Sequence, residues 1–278
     1  MHRILITGAT GSVGSHVLSQ LMLTGAEIRA LVRNPDVVRF PGQVEVVRGD
    51  LTLPETLDRC FDGIESVFLV WTAPPATAGA VLERIAKGAK RIVFLSAPLK
   101  TAHPFFQKHN PLRAMTEQIE RLIETSGLDW TFLRSGMFAG NVRHWWVPQI
   151  RAGDIVRWPY LNAPTAPIDE RDIAAVAVHA LCNDGHTKAE YVLTGPQSLT
   201  QLEQVSTISQ VIGRSLRAEE ISPEEAQREL HLPAFLLDAW AAAIGQPAFV
   251  TSTVAEITGR PARTFHDWAK DHAAGFLL

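Results

Sequence analysis

A chain of 278 residues, 46% of them hydrophobic, is long enough for one large domain or a domain with an added lobe. Its formal net charge of −3 leaves no basic footprint, which argues against a nucleic-acid partner. The only two cysteines, Cys60 and Cys182, stand far apart in no metal or redox spacing, so they read as small core fillers and no metal site is expected.

The first residues enter a strand pattern at once, and no apolar run approaches a membrane span. The expectation is a cytoplasmic protein with no membrane partner. Composition does not specify an oligomeric state.

The apolar, β-branched run Ile4-Leu5-Ile6 leads into Thr7-Gly8-Ala9-Thr10-Gly11-Ser12-Val13-Gly14, with glycines spaced Gly-x-x-Gly-x-x-Gly. Val13, Val17 and Leu21 follow at helical spacing, so the order is strand, glycine turn, helix. Glycine lets the backbone turn tightly and approach a pyrophosphate with no Cβ in the way. The amides that open the helix then point at the phosphate, aided by the helix dipole. Gly8, Thr10, Gly11, Ser12, Val13 and Gly14 are therefore candidate dinucleotide contacts.

Further strands are predicted over 27–33, 44–48, 66–71, 91–95, 130–133 and 190–193. Helical patterns fall between them at roughly 13–23, 54–61, 77–88, 112–126 and 170–182. Such alternation predicts an α/β fold, a doubly wound parallel Rossmann sheet with its ligand at the C-terminal strand ends. From Pro196 the pattern becomes mostly helical. Thr200-x-x-Glu203 is a capping box for a helix ended by Gly213, and Ser222-Pro223-Glu224-Glu225 opens another. Helices are also predicted over 232–243, 249–257 and 266–274. The expected organisation is a dinucleotide-binding core over 1–140, a Pro- and Trp-rich excursion over 141–167, the last core helix and strand over 168–195, and a helical substrate lobe over 196–278.

The end of the second strand addresses cofactor choice. A site for NAD(H) usually places a carboxylate there, about 20 residues past the glycines, to bind the ribose hydroxyls. This chain has Arg33 followed by Asn34, and an arginine fork pairs with a 2′-phosphate. NADP(H) is therefore expected over NAD(H). Asp50, after the third strand, suits either the adenine amino group or the cap of the next turn, with Leu51 beside it. Val70, Trp71 and Thr72 follow the fourth strand and are expected along the middle of the cofactor.

Several segments resemble the NmrA-like, atypical short-chain dehydrogenase/reductase family. They are Thr7–Gly14, Leu31-Val32-Arg33-Asn34-Pro35, Gly49-Asp50-Leu51, Ser126-Gly127-Leu128, the run Leu133 to Asn141, Glu170-Arg171-Asp172-Ile173-Ala174, Gly259-Arg260-Pro261 and Phe265-x-x-Trp268. The likeness spans essentially the whole chain. It implies a Rossmann fold with a small substrate lobe and NADP(H) binding. The family includes quinone and carbonyl reductases as well as proteins that sense dinucleotides without turning them over.

The wider superfamily uses a Tyr-x-x-x-Lys pair, and this chain lacks one: neither Tyr160 nor Tyr191 has a lysine four residues on. The resemblance places His109-x-x-x-Arg113 in that slot. Histidine can donate a proton near neutral pH, whereas arginine can hold a ribose hydroxyl but cannot relay a proton. Asn110-Pro111 looks like an N-cap with proline at the first helical position, which would leave His109 outside the helix. Ser96 takes the place of the superfamily's catalytic serine. It either steadies a developing alkoxide or satisfies strand-end backbone. Gly136, Met137 and Phe138 follow the sixth strand, where the nicotinamide end is expected. Phe138, His144, Trp145, Trp158, Tyr160 and Trp240 form an aromatic set, either a pocket for a flat apolar substrate or the core of the lobe.

Three readings follow. One is an NADPH-dependent reductase of a small hydrophobic carbonyl, quinone or imine compound. The others are a non-catalytic NADP(H) sensor with a protein partner and a non-redox enzyme that keeps the dinucleotide as scaffold.

Overall fold

A computed structural model describes residues 2–98, 100–107 and 111–277. Two compact units result, each assembled from separate stretches of chain. The first comprises Met1–Ala97, Pro111–Arg134 and Ile173–Tyr191, and the second Pro98–Asn110, Ser135–Asp172 and Val192–Leu278.

The first unit is built on strands β1 (Arg3–Ile6), β2 (Glu27–Val32), β3 (Val44–Arg48), β4 (Ser66–Leu69), β5 (Arg91–Ser96) and β6 (Asp129–Ser135). A seventh strand, Ala189–Leu193, completes a sheet of order β3-β2-β1-β4-β5-β6 followed by that strand. Pairing from β3 through to β6 is parallel, as the doubly wound fold requires. Strand order reverses between β1 and β4, which opens a crevice at their carboxyl ends where such sheets bind ligands. Ile4, Leu5 and Ile6 have no exposed surface, and neither do Val67, Phe68 and Leu69 of β4. Strands covered on both faces read as continuous apolar runs for this reason. β3, at the sheet edge, buries only Val44 and leaves Val46 exposed.

The glycine turn after β1 is set by one close approach. Helix α1 (Gly14–Leu21) begins with Gly14 against the Gly8 carbonyl, where a Cβ on Gly14 would stand 2.1 Å from that oxygen. Gly8 itself has φ +64°, a conformation that favours glycine, and the Gly11 amide donates to its carbonyl at 2.9 Å. Thr7 ties the turn to the neighbouring strand: its amide donates to Phe68 O at 3.0 Å and its Oγ1 accepts from the Val70 amide at 2.7 Å. Where the sequence pattern suggests a helix over 54–61, only a 3₁₀ turn, Pro54–Leu57, forms. There Thr56 Oγ1 bonds back to Leu53 O and accepts from the Asp50 amide, so side chains close a tight turn in place of a helical ladder.

In the second unit the core is aromatic. Trp146, Trp158, Trp240 and Trp268 have no exposed surface, and Trp158 lies with its ring centre 5.3–5.7 Å from those of Trp145, Trp146 and Trp240. Strand Ile155–Trp158 pairs parallel with Arg217–Glu220, and Pro164–Thr165 pairs antiparallel with Leu199–Thr200. The expected capping box forms between Thr200 and Glu203, the expected N-cap Ser222 forms one with Glu225 as well, and Gly213 ends the first helix at φ +65°. Helix 249–257 is shorter than its pattern, running Thr253–Thr258. Thr251 explains the difference, since its amide donates to Thr194 Oγ1 and its hydroxyl to Val192 O, holding 249–251 outside any helix.

Gly14→Ala is expected to destabilise the protein by about 1–3 kcal/mol, because the added Cβ meets backbone that must shift. Gly11→Ala, whose Cβ would lie 3.2 Å from the same oxygen, should cost less. Urea denaturation of both variants checks this; equal midpoints for Gly14→Ala and wild type would contradict the steric account.

Candidate functional site

At the carboxyl ends of β1 and β2 the first unit holds a cavity of about 490 Å³, large enough for a substantial part of a dinucleotide. Its floor is the glycine turn, Thr7 to Gly11, and its walls come from Leu31 to Asn34, from Gly49 to Leu51, and from Thr72. Gly8, Thr10, Gly11, Arg33, Asn34, Asp50, Leu51 and Thr72, all expected from the sequence, are thus brought to one cavity. Val37 and Val38 add an apolar wall that the sequence pattern did not single out.

Two features, one in the chain just after the cavity's glycine floor and one at its wall, suit an anion. The amides of Ser12 and Val13 find no acceptor among the described residues, and the first turn of α1 carries no acidic side chain. Arg33 is exposed at the cavity wall with no hydrogen bond or ion pair to any described residue. Asn34 Oδ1 accepts from the Asp36 amide at 3.1 Å, fixing the turn that follows Arg33. Asp50 Oδ1 accepts from the amide and the hydroxyl of Thr52, both at 2.8 Å, so the capping role takes up one of its oxygens. Val70 packs beneath Gly8, and Trp71 is buried in the sheet core without lining the cavity.

Ser96 is enclosed in a charge cluster within the same unit. Its hydroxyl donates to Glu120 Oε1 at 2.5 Å, and Arg134 donates to both oxygens of Glu120 at 3.0 and 2.7 Å. A further bond joins Arg134 to Glu190 at 2.5 Å. The side chains of Arg134 and Glu120 are only 3% and 6% exposed. Burial works against the guanidinium charge, but the bonds to Glu120 and Glu190 outweigh it and hold its pKa above the ordinary value. Neither Glu120 nor Arg134 stands out in the sequence as part of a site. Arg113 donates to Glu117 at 2.9 Å, one turn along the helix Pro111–Glu124. His109 lies outside the described residues.

Within the second unit Gly136 and Met137 line a small cavity with His103, Phe105, Phe106, Thr165, Thr194 and Phe249. Phe138 stands next to it in sequence and bridges to Ile168. The turn after Phe138 is anchored by Glu170, a buried residue of the Glu-Arg-Asp motif, whose carboxylate accepts from the Gly140 amide at 3.0 Å. Burial pushes the Glu170 carboxyl up, with the nearby Asp169 charge adding to it. A Cβ on Gly140 would lie 2.2 Å from Glu170 Oε1, so this contact requires glycine.

Of the aromatic set, Trp158 and Trp240 are fully enclosed core rings, a correction to their reading as substrate contacts. Trp145 packs against both, His144 is exposed, and Tyr160 borders the same core in a left-handed turn at φ +53°. The Trp residues went to the core because their large apolar area outweighs any other use there. Beside Gly136 and Met137, the cavity takes Phe105, Phe106, Ala248 and Phe249 from short segments without a motif. Among the described residues no group of three or more His, Cys, Asp or Glu is placed to hold a metal, and no helix is long and apolar enough to cross a membrane.

Comparison with known proteins agrees with this arrangement. The NmrA-like family profile matches residues 1–257. A (4-alkanoyl-5-oxo-2,5-dihydrofuran-3-yl)methyl phosphate reductase from Streptomyces griseus is 38% identical, over 98% of this chain and 99% of that protein. An NAD(P)H azoreductase from Xenophilus azovorans is 34% identical over the same shares. In fold, the chain is similar to the triphenylmethane reductase of a Citrobacter species, with a TM-score of 0.83 at 21% identity, covering 98% and 99% of the two chains. It is also similar to an NADPH-dependent quinone oxidoreductase from Escherichia coli, with a TM-score of 0.80 at 22% identity, covering 96% and 98%. The chain belongs to the NmrA-like family.

Proposed function

We propose that the protein is an NADPH-dependent reductase that passes a hydride to a small, neutral, apolar acceptor, a quinone or imine-type compound ahead of a simple ketone. The observation that carries the cofactor half is the glycine-floored cavity with the uncommitted Arg33 at its wall. The unpartnered amides of Ser12 and Val13 meet the pyrophosphate, and Arg33 pairs with the 2′-phosphate. Arg113, on the helix that carries the superfamily's catalytic pair, is assigned to a ribose hydroxyl. NADPH, when bound, supplies the hydride.

The acceptor half rests on chemistry. Every polar side chain around the second unit's cavity already has a partner. Thr165 accepts from Gln204, Thr194 accepts from the Thr251 amide, and both ring nitrogens of His103 are engaged. The lining therefore offers apolar surface to a neutral group. Ser96 in turn donates to Glu120 and would have to give that bond up to polarise a carbonyl. An acceptor that stabilises added charge over its own conjugated system needs little help of that kind, which favours quinones and imine-type compounds over simple ketones. The Streptomyces relative is named for a phosphorylated substrate. No lining residue of this cavity other than His103 is basic, and this favours acceptors without a phosphate.

Purified protein is expected to oxidise NADPH with 1,4-naphthoquinone or an azo dye, more slowly with an aryl ketone, and without gain from a phosphate on an alkanoyl butenolide. Absence of turnover with all four, despite tight NADPH binding, would move the assignment to a dinucleotide sensor. Ser96→Ala should lower the unfolding midpoint while leaving kcat with the quinone within about threefold. A loss of ~10²-fold or more, the size of an oxyanion-type contact, would restore Ser96 as a catalytic residue.

A further inference from the structure

The cavity lined by Gly136 and Met137 is small. It encloses about 20 Å³, room for roughly one water, so an organic acceptor enters only if a wall moves. Most of the wall is fixed. Thr165 lies in a strand pair with Leu199, the Gly136 amide donates to Leu193 O at 2.9 Å, and Phe105 and Phe106 stand on the helix Pro104–Gln107.

Ala248 and Phe249 differ from these. They sit in the stretch 244–252, which belongs to no helix or strand and leaves Ile244, Phe249 and Val250 exposed by 48%, 37% and 40%. Gly245, at one end, has φ +82°. Single hydrogen bonds hold the stretch down. The Ala248 amide donates to Ser198 Oγ at 2.8 Å, and Thr251 is tied at the far end to Thr194 and Val192. Ahead of both, at Pro247, His103 acts as a latch. Its Nδ1 accepts from the Phe105 amide at 3.2 Å, which leaves Nε2–H to donate to Pro247 O at 3.0 Å.

We infer that residues 245–250 are a strap that opens to admit the acceptor, and that Phe249 is the side chain that limits the acceptor's size. The inference rests on the reductase reading above. The part of the acceptor that enters is uncharged, because the polar atoms of the wall are committed and Phe105, Phe106, Met137 and Phe249 supply the remaining surface. A strap kept by scattered hydrogen bonds outside any helix or strand ladder, with apolar side chains already partly in water, is the part of this wall that opens most readily.

Phe249→Ala and Phe249→Trp test the idea in two ways. The ratio of kcat/KM for anthraquinone to that for 1,4-benzoquinone should rise by about tenfold in Phe249→Ala and fall in Phe249→Trp, as expected when an apolar pocket changes by several methylene equivalents. N-phenyl-1-naphthylamine, a neutral fluorescent probe, should bind Phe249→Ala about tenfold more tightly than wild type. Ser198→Ala, which frees the strap without touching the cavity, should speed the probe's association. NADPH affinity measured on each variant serves as the folding control. An unchanged quinone ratio together with unchanged probe binding, in a Phe249→Ala protein that binds NADPH as wild type does, would overturn the strap. Should wild type reduce no acceptor, the reductase reading fails, while the probe titrations still decide for or against the strap.

Discussion

The closeness of Gly14 to the carbonyl of Gly8 is the constraint on which the site depends. That approach packs the first turn of α1 onto the end of β1 and leaves the amides of Ser12 and Val13 with no acceptor among the described residues. Thr7 and Val70 hold the turn from the other side through reciprocal bonds between β1 and β4. A glycine-floored cavity at a strand-order reversal follows from these contacts alone. The dinucleotide reading therefore rests on backbone geometry before any side chain is considered.

Two arginines at strand ends show how position decides use. Arg134, at the end of β6, is buried and chelated by Glu120 and Glu190 with Ser96 alongside, so its charge organises the protein interior. Removing one member of such a cluster leaves another charge unpaired in a low-dielectric setting, which makes the group structural by default. Arg33, one residue past β2, has water on one side and the cavity on the other, and its donors remain available for a ligand. The same residue type thus serves as an internal brace in one place and, in the function proposed above, as a reader of charge in the other. Ser96 goes with the brace, its hydroxyl donating to Glu120.

Much of this was legible in the sequence, for definable reasons. Gly8 and Gly14 announce themselves because a positive φ at one and a backbone clash at the other exclude a side chain, and β4 and β5 do so because burial on both faces needs unbroken apolar runs. Capping boxes at Thr200 and Ser222 are local, so local reading finds them. What escaped depends on contacts distant in the chain. Thr251 keeps 249–251 out of a helix only because Val192 and Thr194 are there to bond it. Trp158 and Trp240 read as pocket or core until their neighbours are known. The second unit's cavity is assembled from short segments around residues 105, 137, 165, 194 and 249, and no single stretch of sequence carries its pattern.

The central claim is that the cavity at the ends of β1 and β2 holds NADP(H) through the Arg33 fork. Equilibrium titration of NADPH and NADH into wild type and Arg33→Asp, at one fixed ionic strength, tests it most directly. The account predicts that wild type prefers NADPH and that the substitution weakens NADPH by about 10²-fold or more while changing NADH by only a few-fold, the signature of a lost charge-assisted fork. Equal weakening of both nucleotides, or none, would contradict the assignment of Arg33 to the 2′-phosphate.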